Sequence, residues 1–164
     1  MKNVYWIMVF TLMLLINACK SVVSYPSIPS INYTGYTLER TLTDSTIRDS
    51  IVLVKISFTF VDGDGDLFSP DTSFRSLFVN IYKNEMDSFV RVPDSTLSAK
   101  PSFHLPYDQV MDRTGQNKTQ KGKMEFNFPF LIPVPYDSVK LEFYITDLSG
   151  NKSNSVITPI VKLR

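Results

Sequence analysis

The segment 51–60 (IVLVKISFTF) constrains the fold most, because its apolar side chains recur with a period of two residues. Side chains alternate between the two faces of a β-strand, so this period indicates a strand rather than a helix. The opposite face begins with Ile51 and Leu53 and becomes polar from Lys55 onward. One side of the strand is therefore predicted to face a core, and the other to turn toward solvent. The apolar face comprises Val52, Val54, Ile56, Phe58 and Phe60.

Similar alternation recurs along the rest of the chain, and the spacing predicts further short strands at 36–42, 74–83, 89–92, 123–128, 137–145 and 155–163. Ten prolines interrupt any long helix, and aromatic residues make up 13% of the chain, which favours a packed core. About seven short strands joined by turns are typical of an all-β antiparallel sandwich of two sheets. The predicted core consists of Val52, Val54, Ile56, Phe58, Phe60, Leu77, Val79, Ile81, Val139, Leu141, Phe143 and Ile145.

The N-terminus has the pattern of an export signal, with Lys2 followed by an apolar run at 4–16 and small residues before Cys19. The run has about 13 residues, whereas a membrane-spanning helix needs about 20. The segment 15–19 (LINAC) resembles the lipobox of bacterial lipoproteins, which implies cleavage before Cys19 and acylation of its thiol. Cys19 is the only cysteine in the chain, so it has no internal disulfide partner. An ordinary secretory signal with an incidental cysteine is the alternative.

These features divide the chain into a lipoprotein signal peptide at 1–18, a lipid anchor and extended tether at 19–35, and a β-sandwich domain at 36–164. Two or three acyl chains would hold the protein firmly at a membrane. Lys20 stands where an aspartate often retains lipoproteins in the inner membrane, which favours the outer membrane of the cell envelope. The face of that membrane is left open.

Charge and residue content argue against two classes of function. The chain has 17 basic and 16 acidic residues, whereas a nucleic-acid-binding protein normally carries a basic surplus. We therefore expect no nucleic-acid partner. His104 is the only histidine, and no GxSxG nucleophile motif occurs. We expect His104 to be a loop or packing residue and the protein not to be an enzyme, with a small hydrolase as the weakest alternative.

The C-terminal segment YITDLSGNKSNSVITPIVKL resembles the last hairpin of bacterial immunoglobulin-like and fibronectin type III-like modules. Together with FVDGDGDLF and the lipobox, it resembles small lipoproteins common in the Bacteroidota. The resemblance implies an immunoglobulin-like sandwich in a lipid-anchored module for binding or adhesion, with a protein or glycan partner. The alternative is a structural accessory of a larger outer-membrane complex. Exposed aromatics, for instance Tyr107 with Phe103, would favour a glycan.

An acidic corner follows the strand 51–60, with Asp62, Asp64 and Asp66 separated by two glycines. Glycines let the chain curl so that alternate carboxylates converge, and oxygen-rich clusters of this kind suit Ca²⁺. The spacing matches the first three ligands of an EF-hand, but Leu67 stands where its invariant glycine belongs.

A second acidic segment is predicted to lie close to this corner. In an immunoglobulin-like sandwich, the loop after the second strand and the loop between the last two strands share one end. Asp147 and Asn151 belong to the latter loop. The sequence therefore predicts a calcium site built from Asp62, Asp64, Asp66, Asp147 and Asn151. The alternative is a solvated turn in which Asp and Gly residues only satisfy backbone geometry.

Overall fold

The computed structural model of the protein describes Trp6 and residues 24–42, 50–96, 101–105, 118–131 and 136–164. Cys19, the rest of the predicted signal peptide and Tyr107 lie outside these residues. Within the described part of the chain, no helix has both the length and the apolar character needed to cross a membrane.

The strand predicted at 51–60 forms the middle of a three-stranded antiparallel sheet. It runs as β2 (Ser50–Asp62) between β1 (Ser30–Leu42) and β6 (Gln120–Leu131). β2 pairs with β6 without interruption, from Ile51 opposite Leu131 to Asp62 opposite Gln120. A β-bulge near Gly35 interrupts the pairing of β1 with β2.

The remaining strands form a second antiparallel sheet of six strands. It consists of β3 (Leu77–Glu85), β4 (Ser88–Arg91), β5 (Ser102–Phe103), β7 (Ser138–Ile145), β8 (Val156–Ile157) and β9 (Val161–Lys162). β3 and β7 pair at its centre, with β4 and β5 bonded to β3, and β8 and β9 bonded to β7. A short 3₁₀ helix, Asp94–Thr96, follows β4. The protein is therefore all-β, with two antiparallel sheets in a sandwich-like arrangement.

The core lies between the two sheets. All twelve side chains predicted from the alternation are buried, at 5% exposure or less. Phe58 on β2 contacts Phe143 on β7 with ring centroids 5.5 Å apart, so the inner faces of both sheets meet there. Phe126 on β6 packs edge-on against both rings. Sequence periodicity thus identified the inward faces of β2, β3 and β7.

Three strands, β1, β3 and β6, begin at least three residues away from their predicted starts. β1 begins at Ser30 rather than Tyr36, so the strand includes residues that the sequence analysis placed in the tether. β3 begins at Leu77 rather than at residue 74. β6 extends the predicted 123–128 at both ends and includes Pro129, which an edge strand tolerates because one side of its backbone has no strand partner.

The single final strand predicted at 155–163 is divided into β8 and β9. The interruption contains Pro159, which has no backbone N–H to donate to a sheet. Thr158 takes over part of the pairing, because its backbone N–H donates to Leu141 O and its hydroxyl accepts from Leu141 N. The last segment therefore stays against β7 through a side-chain hydrogen bond as well as backbone pairing.

Candidate metal centre

The acidic corner begins inside the sandwich. The alternation of β2 continues past Phe60, so Asp62 is the next residue on the inward face. The Asp62 side chain is fully buried, at 0% exposure. A carboxylate in that position loses its hydration, which is costly unless a cation or several donors replace the water. Leu67 and Phe68 return the chain to the core directly after the corner, and Phe68 packs edge-on against Phe60.

Both glycines of the corner lie where a side chain does not fit. A Cβ on Gly63 would lie 2.3 Å from the carbonyl oxygens of Tyr25 and Pro26. Gly63 N also donates to Pro26 O at 3.0 Å. Gly65 has a φ of +73°, and a Cβ there would lie 2.0 Å from Lys118 O. The acidic corner is therefore held between the segment before β1 and the segment before β6.

The turn after β7 is bonded to the same corner. Asp66 O accepts from Leu148 N at 3.0 Å. Asp66 Oδ2 accepts from both the backbone N–H and the hydroxyl of Ser149. Gly150, with a φ of +85°, closes the turn and donates to Asp147 O. Two segments that are distant in sequence therefore meet at one end of the sandwich, as the topology predicted.

Four carboxylates converge at this end. Asp62, Asp64, Asp66 and Asp147 each offer one oxygen, and these atoms all lie within 4.8 Å of one another. Asp62 and Asp147 are buried, at 0% and 1% exposure, and the other two are half-buried. No described lysine or arginine forms an ion pair with any of the four. The cluster thus concentrates negative charge, and none of the described lysines or arginines neutralises it in an ion pair.

Several oxygens of the cluster have no hydrogen-bond partner among the described residues. They are Asp62 Oδ1, Asp62 Oδ2, Asp64 Oδ1 and Asp66 Oδ1. Buried polar atoms are normally paired, so a group of unpaired acceptors in one place points to a ligand. These four oxygens require a donor or a cation, and no described side chain is hydrogen-bonded to any of them.

The electrostatics of the corner agree with this geometry. Burial, followed by the neighbouring carboxyl groups of Asp64 and Asp66, raises the pKa of Asp62 from its ordinary 3.8 to about 7. The backbone N–H of Asp66 acts on the pKa of Asp62 in the opposite direction. Burial also raises the pKa of Asp66, and the charges of Asp147 and Asp64 add to it against the hydrogen bonds from Ser149. Without a cation, the cluster therefore resists full ionisation.

These properties fit a hard divalent cation. Ca²⁺ binds about 6–8 oxygens at roughly 2.3–2.6 Å, so ligands on opposite sides of the ion are about 4.6–5.2 Å apart. The 4.8 Å limit on the carboxylate oxygens is compatible with one such coordination sphere. This partly buried cluster of four aspartates could therefore bind a metal ion such as Ca²⁺.

Asn151, the fifth predicted ligand, lies in the same turn and is engaged with Asp147. Its backbone N–H donates to Asp147 Oδ1 at 2.7 Å, and its side-chain Nδ2 donates to Asp147 Oδ2 at 2.9 Å. Both bonds fix the orientation of the Asp147 carboxylate. Metal ligation by Asn151 itself stays a prediction.

Two other residues singled out in the sequence have packing contacts. His104 Nδ1 lies 3.1 Å from Phe74 O, so the imidazole joins the segments before β3 and after β5. Phe103 is half-buried, and its ring centroid lies 5.8 Å from those of Phe126 and Phe128. Phe103 is therefore part of the aromatic packing rather than of an exposed platform.

The sequence analysis missed one polar residue at this end of the sandwich. Gln120 is the first residue of β6 and lies opposite Asp62 in the register. It is 8% exposed, and its Oε1 has no hydrogen-bond partner among the described residues. No local motif marks it, because its position depends on the pairing of β6 with β2.

No protein-family model, curated protein or solved structure matches the chain.

Proposed function

We propose that the protein is a calcium-stabilised β-sandwich module of the cell envelope, anchored by lipid at Cys19 and presenting its domain to a protein or glycan partner. Calcium binds to Asp62, Asp64, Asp66 and Asp147 and closes one end of the sandwich. The ion acts as a structural element rather than a catalyst. It neutralises half of the formal charge of the four carboxylates and ties the turn after β7 to the end of β2.

The observation that carries this proposal is the convergence of four aspartates whose buried oxygens lack partners. A solvated turn would leave its carboxylates in water, where they need no partner. Asp62 has no exposed surface, so water at the protein surface cannot serve it in that way. A bound cation satisfies the unpaired acceptors together.

The strand partition supports an immunoglobulin-like topology for the module. In constant-type immunoglobulin domains the first, second, fourth and fifth strands share one sheet, and the third, sixth and seventh share the other. Here β1, β2 and β6 match the first, second and fifth strands, and β3, β7 and the β8–β9 segment match the other sheet. β4 differs from the fourth strand, because it pairs with β3. Loops at the ends of such sandwiches commonly carry the binding function, which favours a binding or adhesion module.

The anchor rests on the sequence at 15–19 and on the single cysteine. The segment at 24–29 lies against the acidic corner, since Pro26 O accepts from Gly63 N. We therefore expect calcium to stabilise the part of the domain that the tether joins.

One surface feature favours the second candidate, a structural accessory of a larger outer-membrane complex. On the outer face of the three-stranded sheet, Ile51 lies opposite Leu131 and Leu53 lies opposite Pro129. Leu131 is 71% exposed, and the Pro129 side chain is also exposed. Crosslinking in the native membrane separates the accessory from a glycan-binding module, because an accessory yields one stoichiometric protein partner. A module for glycans yields none.

Thermal unfolding of the purified protein in calcium and in excess chelator tests the proposed metal centre. At about 100 times its dissociation constant, calcium stabilises by about 2.7 kcal/mol, which raises the melting temperature by roughly 5–10 °C for a chain of this size. Asp64→Asn should reduce this shift, whereas Asp87→Asn, on the exposed turn after β3, should retain it. An identical melting temperature of the wild-type protein at millimolar calcium and in chelator would refute the proposal.

A further inference from the structure

Gln120 lies at the start of β6, directly across the sheet from a residue of the aspartate cluster. Gln120 is the cross-strand partner of Asp62. Residues directly opposite each other in an antiparallel pair project to the same face, with Cβ atoms about 4.5–5.5 Å apart. Both side chains are buried, at 8% and 0% exposure. The Gln120 amide therefore lies beside the most buried carboxylate of the cluster.

The amide oxygen of Gln120, like the carboxylate oxygens, lacks a hydrogen-bond partner among the described residues. This atom, Gln120 Oε1, is buried. If an ordinary hydrogen bond explained the burial of this amide oxygen, a donor would face it. Here it lies next to Asp62, whose two oxygens also lack a partner. A cation between the two side chains would satisfy all of these acceptors together.

We infer that Gln120 Oε1 is a fifth protein ligand of the calcium ion and that Asn151 instead holds the Asp147 carboxylate in place. This inference rests on the proposed calcium site. Ca²⁺ accepts neutral side-chain carbonyl oxygens together with carboxylates. Asn151 already donates two hydrogen bonds to Asp147, as an orienting residue does for a metal ligand.

The ligand set determines which ion the site prefers. Four carboxylates and one amide supply at least five protein oxygens, and bidentate carboxylates bring the count to the 6–8 that Ca²⁺ takes. Mg²⁺ retains several waters and is usually held by one or two carboxylates. A site built from two strands and a turn therefore selects Ca²⁺ over Mg²⁺, and Gln120 contributes to that selection because it removes one water position.

A pair of substitutions separates a ligand from a structural residue. Gln120→Met keeps the length of the side chain and removes the oxygen. Calcium affinity, measured by calorimetric titration of the purified protein, should fall by at least about ten-fold, since even residues outside the coordination sphere alter affinity by about 10–100-fold. Urea unfolding of the same variant in metal-free buffer should show no loss of stability, because the Gln120 side chain has no hydrogen bond to a described residue. Gln120→Glu, which offers an oxygen again, should retain calcium binding.

Asn127→Met is the matched control. Asn127 lies on the exposed outer face of the same strand, so its loss should leave calcium affinity unchanged. Wild-type affinity in Gln120→Met would overturn the ligand assignment and leave the four-aspartate site intact. An equal loss in Gln120→Met and Gln120→Glu would also overturn it, since glutamate supplies a ligand oxygen. Absence of calcium binding by the wild-type protein would overturn the proposed function and the ligand assignment together.

Discussion

Replacing Asp62 by Asn should stabilise the metal-free protein at neutral pH, although it removes a predicted ligand. Asp62 is fully buried, and its pKa is raised from 3.8 to about 7. A carboxyl group with a pKa of 3.8 in the unfolded chain and about 7 in the folded protein loses about 4 kcal/mol of stability when it is ionised, at 1.36 kcal/mol per pKa unit. That is the penalty for ionising the buried carboxyl group, and the isosteric amide avoids it.

The sign of the pH dependence follows from the same shift. Between pH 3.8 and about 7, the folded metal-free protein keeps a proton on Asp62 that the unfolded chain has lost. Stability therefore falls as the pH rises through this interval and stays low above it. Asp66, whose pKa is also raised, acts in the same direction. Asp71 and Glu125 have lowered pKa values and act in the opposite direction, but both are exposed, so their effect is small.

Urea unfolding in metal-stripped buffer measures this effect directly. The free energy of unfolding of the wild-type protein should be larger by about 3 kcal/mol near pH 4.5 than near pH 7.5. In saturating calcium the dependence should reverse, because the ion binds the ionised carboxylates and competes with protons. Asp62→Asn should lose most of the dependence, whereas the exposed Asp87→Asn should behave like the wild-type protein.

A metal-free protein that becomes more stable from about pH 4.5 to about 7.5 would refute this account of Asp62. So would an Asp62→Asn variant that is less stable than the wild-type protein in neutral metal-free buffer.

Three further predictions concern the core, the acidic corner and the anchor. Phe143→Ala should lower the free energy of unfolding by about 3–5 kcal/mol in urea denaturation, and an unchanged value would show that this face is not the core. Gly65→Ala should cost more than Gly150→Ala, because both have positive φ but only a Cβ at Gly65 meets a neighbour, Lys118 O at 2.0 Å. Equal costs in urea denaturation would contradict the tight packing of the corner. Cys19→Ser should move the protein out of the detergent phase or leave it unprocessed, and unchanged mass and partitioning would exclude lipidation.

The sequence was most informative where one physical requirement acts along a single strand. Burial of one face requires a period of two residues, so alternation identified the inward side chains of β2, β3 and β7. β6 was predicted too short because its first residues, from Gln120, are polar and glycine-containing. Its pairing with β2, rather than its own side chains, makes them a strand. The alternation at 155–163 predicts a single final strand. Pro159 divides it into β8 and β9, because proline has no backbone N–H to donate to the sheet.

In the candidate metal centre, too, the local motif could be predicted from the sequence and the contacts between distant segments could not. Asp62, Asp64 and Asp66 form a local motif, and a general property of sandwich topology was enough to bring Asp147 to them. Gln120 could not be identified in that way, since its place beside Asp62 depends on the register of two strands that are distant in sequence. The hydrogen bonds of Asn151 depend on the conformation of one turn, which composition does not determine.

Calorimetric titration of calcium into metal-stripped protein near neutral pH is the most direct test of calcium binding by the four-aspartate cluster. The account predicts one ion bound per chain in the wild-type protein and in the exposed control Asp87→Asn. It predicts no measurable binding when Asp62→Asn and Asp64→Asn are combined, since two of the four converging carboxylates are then lost. No binding by the wild-type protein, or unchanged binding by the double variant, would contradict it.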